Sequence, residues 1–409
     1  MTGRARGLVR RTLLARRWID PWVLAASVTC LGLLLSFGKV GFLIFVACGI
    51  YLGLGRPRSW RAAPPVFTGF LVAWAVWQIG LSLLRGEPIS GNRTLSYAGI
   101  ELAVAFLPLG LALVRDPIGA VANGARIGLV LLAVIAPLAY LGGEERVGLG
   151  GNEAIFAFVI GVVALAARLE VRHPLRWLPN ARWWSYLVVV PVLLSGTRAA
   201  FGIVLLVLVA DAASLARGRR PAWLRTGGGM AGALIVALGV GIGAAYVVQN
   251  RIDAGIAEYQ TFERTGIAAG SVDTRVVMWS AGWQVLREHP LLGVGGTHRM
   301  EAAGEKAGRN GFMVTYYQHL HNMLLDEALS SGLVSVALMM ATFASFLAAV
   351  SSAPRSQRFR STAVLLVIFF AIFGSFHGVL LNEWTLISLF GVMSCMLTGA
   401  RRTAARTRA

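Results

Sequence analysis

The chain has 409 residues, of which 56% are hydrophobic and only 14% charged, with a formal net charge of +19. A soluble domain carries about a quarter charged residues, so this composition excludes a string of soluble domains and indicates a membrane protein. The basic residues lie in short Arg clusters between apolar runs rather than along one face, which argues against a nucleic-acid binder.

The opening segment, "MTGRARGLVRRTLLARRW", has the positive flank of a signal peptide but is followed by no small-residue cleavage site. It reads as a basic tail, residues 1–21, ahead of a retained first helix. Apolar runs long enough, or nearly so, to cross a hydrocarbon layer of about 30 Å then recur along the whole chain. They fall at 22–37, 40–55, 65–84, 98–114, 127–141, 154–167, 183–194, 199–214, 227–248, 328–350, 361–379 and 385–399. Backbone polarity forces such spans to be helical. The expectation is therefore an all-α, polytopic membrane protein of about twelve transmembrane helices, nine within 22–248 and three within 323–399.

Charge orients them. Alternate connections hold Arg56, Arg58 and Arg61; Arg115 and Arg126; Arg168, Arg172, Arg176 and Arg182; Arg217, Arg219, Arg220 and Arg225; and Arg355, Arg358 and Arg360. With the arginines of the first tail and of the last, residues 400–409, nearly every dense cluster falls on one side. The positive-inside rule makes that side cytoplasmic, with both termini. The other side receives short loops around Lys39, at 85–93, 142–153 and 195–198, and one long connection at 249–322 between helices 9 and 10. Within that connection "NRIDAGIAEYQTFERTG" and "DTRVVMWSAGWQVLREHP" have helical spacing, which predicts short helices on the membrane surface, and "PLLGVGG" is a Gly-rich turn.

Polar side chains at span ends are the candidates for chemistry. Arg198 is the only charged residue in "VVVPVLLSGTRAAFGIVLLVLV" and follows a Ser195–Gly196 hinge, where it can hold an anion at a helix start or simply reach for headgroups. Arg275 opens an amphipathic helix that Asp273 can cap, unless the two form an ion pair. Arg287 and His289 lie three turns on, where a basic residue suits a helix C-terminus in any case. In "YYQHLHNMLLDEALSSG", His321 and His319 can each take a proton from a hydroxyl nucleophile. On an extended segment both face one way; on a helix only one would point at a site. Asn322, Asp326 or Glu327 can orient an imidazole, and the chemistry alone leaves the two histidines tied. His377 and Glu383, around the turn between spans 11 and 12, can line the same cavity or serve packing and charge balance. There is no HExxH, no spaced cysteine set and no Gly-rich nucleotide loop, so no metal ligands and no cofactor are expected.

The segments "LLSGTRAAF", "DTRVVMWSAGWQVLREHPLLGVGG" and "HLHNMLLDEALSSGLVS", in this order around a large outer loop, resemble the O-antigen ligase and polymerase superfamily of bacterial membrane glycosyltransferases. The resemblance spans helix 7 to the end of helix 10 and reaches the first 180 residues only through topology. It implies a periplasmic active site in the inner membrane, a donor glycan on undecaprenyl pyrophosphate, and, for a ligase, a lipid A core sugar as acceptor. Arg198 and Arg275 would then hold the pyrophosphate and His321 would activate the acceptor. Arg287, Asn322, His319, His377 and Glu383 would join them in substrate binding. Arg287 with Leu291 matches the Arg-x3-Leu pattern of ligases, while Ser335 and Thr274 depart from the usual residues. The relatives that share these motifs are polymerases and protein O-oligosaccharyltransferases. A lipid-linked sugar transporter would carry ionisable groups nearer the middle of its spans. Two guanidiniums can offset the charge that develops on a departing pyrophosphate, so a single, inverting, metal-independent displacement is expected.

Overall fold

The computed structural model describes residues 3–216, 249, 253, 255–353 and 357–408, and every regular element among them is helical. In chain order these are α1 (Gly3–Leu33), α2 (Leu35–Gly55), α3 (Pro65–Leu84), α4 (Arg93–Val104), α5 (Leu107–Leu111), α6 (Pro117–Leu141), α7 (Glu153–Ala167), α8 (Val189–Ser195) and α9 (Phe201–Ala216). There follow α10 (Ser271–Glu288), α11 (Arg299–Lys306), α12 (Gly311–Tyr316), α13 (Met323–Ser351), α14 (Gln357–Gly374) and α15 (Glu383–Arg408). Among the described residues seven helices are long and apolar enough to cross a membrane, and four shorter apolar ones accompany them. The expected ninth span, 227–248, lies outside the described residues.

The surface agrees with a lipid environment. Leu54, Leu84, Val134, Leu141, Leu205 and Val209 all stand exposed on helix faces, an arrangement that water would penalise. Inside, α7 is apolar all round and buried from Phe156 to Ala167, as a helix surrounded by others must be. The protein is thus an all-α, multi-pass membrane protein.

Helix boundaries follow local chemistry more closely than the hydropathy pattern does. Expected span 65–84 coincides with α3, because Pro65 can occupy a first helical position without losing a hydrogen bond. Span 98–114 begins earlier, at Arg93, where the Asn92 side chain accepts from Leu95 N–H at 3.1 Å. Span 127–141 begins at Pro117, capped by Asp116, which accepts from Gly119 N–H at 3.0 Å. The break between α1 and α2 falls at Leu34, so Lys39 lies within α2 and not in a loop. Helix continues beyond residue 400 in α15, where a tail is expected.

Arg126 is the sharpest correction. Expected in a basic connection, it sits inside α6 and is fully buried. Its guanidinium donates to the carbonyls of Ala167, Leu169 and Leu178 at 3.1, 2.8 and 3.0 Å. The end of α7 leaves carbonyl groups without helical partners, and this arginine satisfies them where water is excluded.

The element that joins the long connection to the bundle is α13. It is broken at Gly332, whose φ of 79° and ψ of 174° suit only glycine. The break leaves carbonyls free next to the turn formed by "HPLLGVG". Val294 N–H donates to Leu329 O at 2.7 Å, Leu333 N–H to Pro290 O at 2.9 Å, and Trp77 Nε1 to Ser331 O at 2.9 Å. Arg85, from the end of α3, donates to Ser330 O, Leu292 O and Gly293 O at 3.0, 2.6 and 2.9 Å. A Cβ on Gly332 would lie 1.8 Å from Leu291 O. The turn is therefore seated in the notch of the broken helix, with almost every exposed backbone group paired.

Candidate functional site

Residues 317–322 connect α12 to α13 without helical structure. The strand of chain is pinned from behind. Arg299 Nη2 donates to Gln318 O at 2.8 Å, Trp279 Nε1 to Leu320 O at 2.9 Å, and Leu320 N–H to Asp326 Oδ1 at 2.9 Å. Arg93 reaches the Gln318 side chain from α4. Leu320 is fully buried in a small apolar core with Met278, Ala281, Val285 and Leu329. With residue 320 turned inward, His319 and His321 share the opposite face, their ring centroids 4.3 Å apart. His321 is held at φ 53°, in the left-handed region that L side chains seldom adopt. That conformation costs the backbone about 1 kcal/mol while it places the ring on the face shared with His319.

His377, from the short link after α14, completes a cluster. Its ring stacks on Phe373 at 4.9 Å and stands 5.9 Å from that of His321, while Gly378 packs against the His319 ring. Ligand nitrogens of the three imidazoles all lie within 4.8 Å of one another, close enough for the three side chains to hold a metal ion together. The Nδ1 of His321 is buried with no hydrogen-bond partner.

Arginines converge on the same face. Arg275 projects from the first turns of α10, whose start is capped when Asp273 Oδ2 accepts from Ala269 N–H at 2.9 Å and Gly270 N–H at 3.0 Å. Those bonds commit the Asp273 carboxylate to backbone, so it does not pair with Arg275. Among the described residues no carboxylate lies within ion-pair distance of Arg275. Burial lowers its pKa, and the nearby Arg198 guanidinium lowers it further. Arg198 itself is exposed, at a tight turn that follows left-handed Gly196 and leads into α9. Arg146 packs beside that turn, donating to Ser195 O at 3.2 Å.

The remaining candidates separate from this group. Arg287 is exposed and lies over the Trp283 ring at 5.8 Å, on the far end of α10. Asn322 caps α13 by accepting from Leu325 N–H at 3.1 Å, so its amide is occupied by the backbone. Asp326 takes Arg299 at 3.4 Å, and Glu327 takes Trp74 Nε1 at 2.9 Å together with the Ser335 hydroxyl. None of these three orients an imidazole, contrary to expectation. Glu383 pairs with Lys39 at 3.0 Å and so serves charge balance. The sequence reading missed Arg93, Arg146 and Arg299. Arg146 follows two glutamates and Arg299 sits in a polar stretch, so each looks locally neutralised until the chain is folded.

The electrostatics follow. Burial, then the charges of Arg299, Arg93 and Arg275, push the His319 pKa down to about 4. Burial, His319 and Arg275 take His321 down to about 3, and burial with its neighbours does the same for His377. All three rings are neutral at neutral pH. They are therefore free bases surrounded by cations, an arrangement ready for a polyanion beside a hydroxyl. A histidine that resists protonation when folded stabilises the fold fully above its unfolded pKa of about 6.5, and loses that contribution as pH falls towards the folded value. Thermal stability should accordingly drop between pH 6.5 and about 3, and drop less steeply in His377→Gln. Parallel slopes for the two proteins in melting curves against pH would refute this.

Residues 183–340 match the family model described as O-antigen ligase. This segment runs from just before α8 into α13, and it contains Arg198, Arg275, His319 and His321. None of the curated proteins compared with the chain matches it. That part of the chain belongs to the O-antigen ligase family, and the protein is a membrane enzyme of ligase-type glycan transfer.

Proposed function

We propose, from membership of residues 183–340 in the O-antigen ligase family, that the enzyme takes its glycan from undecaprenyl pyrophosphate and delivers it to a sugar of the lipid A core. The reaction would occur on the periplasmic side of the bacterial inner membrane. In this reading the bundle has twelve spans with both termini cytoplasmic, and 249–322 is the catalytic periplasmic connection. The observation that carries the proposal is the meeting of Arg275, which makes no close ion pair among the described residues, with three neutral imidazoles.

Arg275 and Arg198 bind the pyrophosphate and stabilise the charge that builds on it as the bond to the anomeric carbon breaks. Arg146, from the connection before α7 and packed beside the Arg198 turn, adds a third cation, which Glu153 approaches to 3.9 Å. His321 takes the proton from the acceptor hydroxyl, whose oxygen attacks that carbon from the opposite side. One displacement inverts the anomeric configuration, and the leaving group needs no metal because the guanidiniums meet its charge. Arrival of the anionic donor raises the histidine pKa values, so the base strengthens once substrate is present. His319 and His377 line the base. Arg287 and Glu383 support the surrounding structure in this reading, and Asn322 does so as the α13 cap.

A reconstituted assay with undecaprenyl-linked glycan tests it, offering lipid A core or a second donor molecule as acceptor. Transfer to the core alone is expected, and chain extension without core would make the enzyme a polymerase. Arg275→Ala should lower kcat by about 10²–10³, the scale of removing a donor to a developing anion. A variant with unchanged kcat would remove Arg275 from the pyrophosphate site. Retention of the donor's anomeric configuration, read by NMR of the product, would rule out the single displacement.

A further inference from the structure

We propose that His319, His321 and His377 form a three-imidazole site for a borderline divalent transition metal of the Zn2+ class, and that filling it silences His321. The proposal rests on the reading of His321 as the base. It goes beyond that reading because the transfer step itself has no use for the ion.

The geometry makes the case. Three nitrogens within 4.8 Å of one another surround a point that a tetrahedral ion can reach with an inward shift of about an ångström, given Zn–N bonds of about 2.0–2.1 Å. Both loops that carry the rings are fixed: one by Arg299, Trp279 and Asp326, the other by packing on Phe373. Only side-chain rotation is therefore required. The Nδ1 of His321 is buried and accepts no hydrogen bond, so its ring keeps an uncommitted polar atom inside the cluster. An all-nitrogen set selects zinc, copper, nickel or cobalt ions over magnesium and calcium, which demand oxygen ligands. Three protein ligands leave a fourth position open for water or anion.

Two features set the strength. The guanidiniums of Arg275 and Arg146 lie close enough to act on these rings and oppose an incoming dication. Among the described residues no carboxylate belongs to the cluster, and Glu153 meets Arg146 only at 3.9 Å. Binding should thus be of micromolar rather than nanomolar order, a reversible response to free metal and not a resident cofactor. The lone pair that would accept the acceptor's proton is the one that binds the ion, so metal and catalysis exclude each other.

The test uses full-length protein without a histidine tag, in detergent at neutral pH, titrated with Zn2+ by calorimetry and read by X-ray absorption. One saturable ion per chain with a three-imidazole shell is expected, and His377→Ala should weaken it by more than about tenfold. His319→Gln provides a second variant should the first misfold, and thermal unfolding identifies that case. Arg146→Gln should tighten binding several-fold by removing an opposing charge. Absence of saturable binding, or affinity unchanged in both histidine variants, would overturn the site. In the transfer assay Zn2+ should inhibit and a chelator should restore activity. A saturable three-imidazole ion together with no transfer from the undecaprenyl-linked donor would leave the metal site standing and the functional reading fallen. Transfer that proceeds undiminished with the ion bound would instead overturn the silencing of His321.

Discussion

Gly332→Ala should leave the protein unable to assemble, with a loss of more than about 4 kcal/mol, a range that single substitutions reach only when they break a defined structural device. Two effects add. The backbone at 332 occupies a region that a Cβ makes costly by about 1–3 kcal/mol. The new methyl would also stand 1.8 Å from Leu291 O, which belongs to the turn seated in the notch and has no flexible side chain to move aside. Relief of the clash requires ejecting that turn, which strands the Leu329 carbonyl and the Leu333 N–H in apolar surroundings and takes Leu292 O and Gly293 O away from Arg85. Gly80→Ala in α3 is the control, because a Cβ there meets nothing within 4 Å and alanine favours a helix. Fluorescence-detected gel filtration and thermal melting in detergent should find Gly80→Ala near wild type and Gly332→Ala aggregated. A monodisperse Gly332→Ala protein with an ordinary melting temperature would show that the notch is not needed.

His321→Gly should separate stability from turnover. Glycine adopts the left-handed conformation at φ 53° freely, so the substitution removes a strain of about 1 kcal/mol and a ring whose Nδ1 is buried without a partner. Against this stands the extra backbone freedom that glycine gives the unfolded chain, of similar size. The melting temperature should therefore hold or rise slightly, whereas kcat should fall by about 10²–10⁴, the range for losing a general base. His321→Ala, which keeps the strained backbone, should lose the same activity without the gain in stability. Comparable turnover in His321→Gly and the parent would transfer the base role to His319, whose ring lies 4.3 Å away.

Much of this arrangement was legible before folding, and the parts that were not share a cause. Hydropathy located α3 and α7 to within a residue, because lipid exposure and burial both demand apolar side chains over that length. The isolated Arg198 and Arg275 and the pair His319 and His321 stood out because polar groups beside spans are costly unless used. That the two histidines share a face was left open by the sequence. It is settled by Leu320, which turns inward between them. Arg126 was misread because a clustered arginine looks the same in a solvated loop and against the end of a buried helix; only the carbonyls of Ala167, Leu169 and Leu178 distinguish the cases. Asn322, Asp326 and Glu327 lie near the histidines in sequence but do not orient an imidazole. The helix start claims Asn322, and Arg299 and Trp74 claim the two acids. Arg93, Arg146 and His377 come from elements outside residues 183–340, so local motifs in that segment do not reveal them.

The seating of the Pro290–Val294 turn in α13 also limits how the protein can be re-engineered. The connection carrying Arg275 and His321 is not a cassette, since its anchor points are carbonyls of α13 and side chains of α3 roughly two hundred residues earlier in the chain. A chimera that exchanged residues 249–322 alone would inherit a turn without its clamp unless Trp77, Arg85 and the glycine at 332 travelled with it. The long connection and the membrane bundle are thereby coupled through a handful of hydrogen bonds to backbone carbonyls, and chimeras should fold only when cut outside that joint.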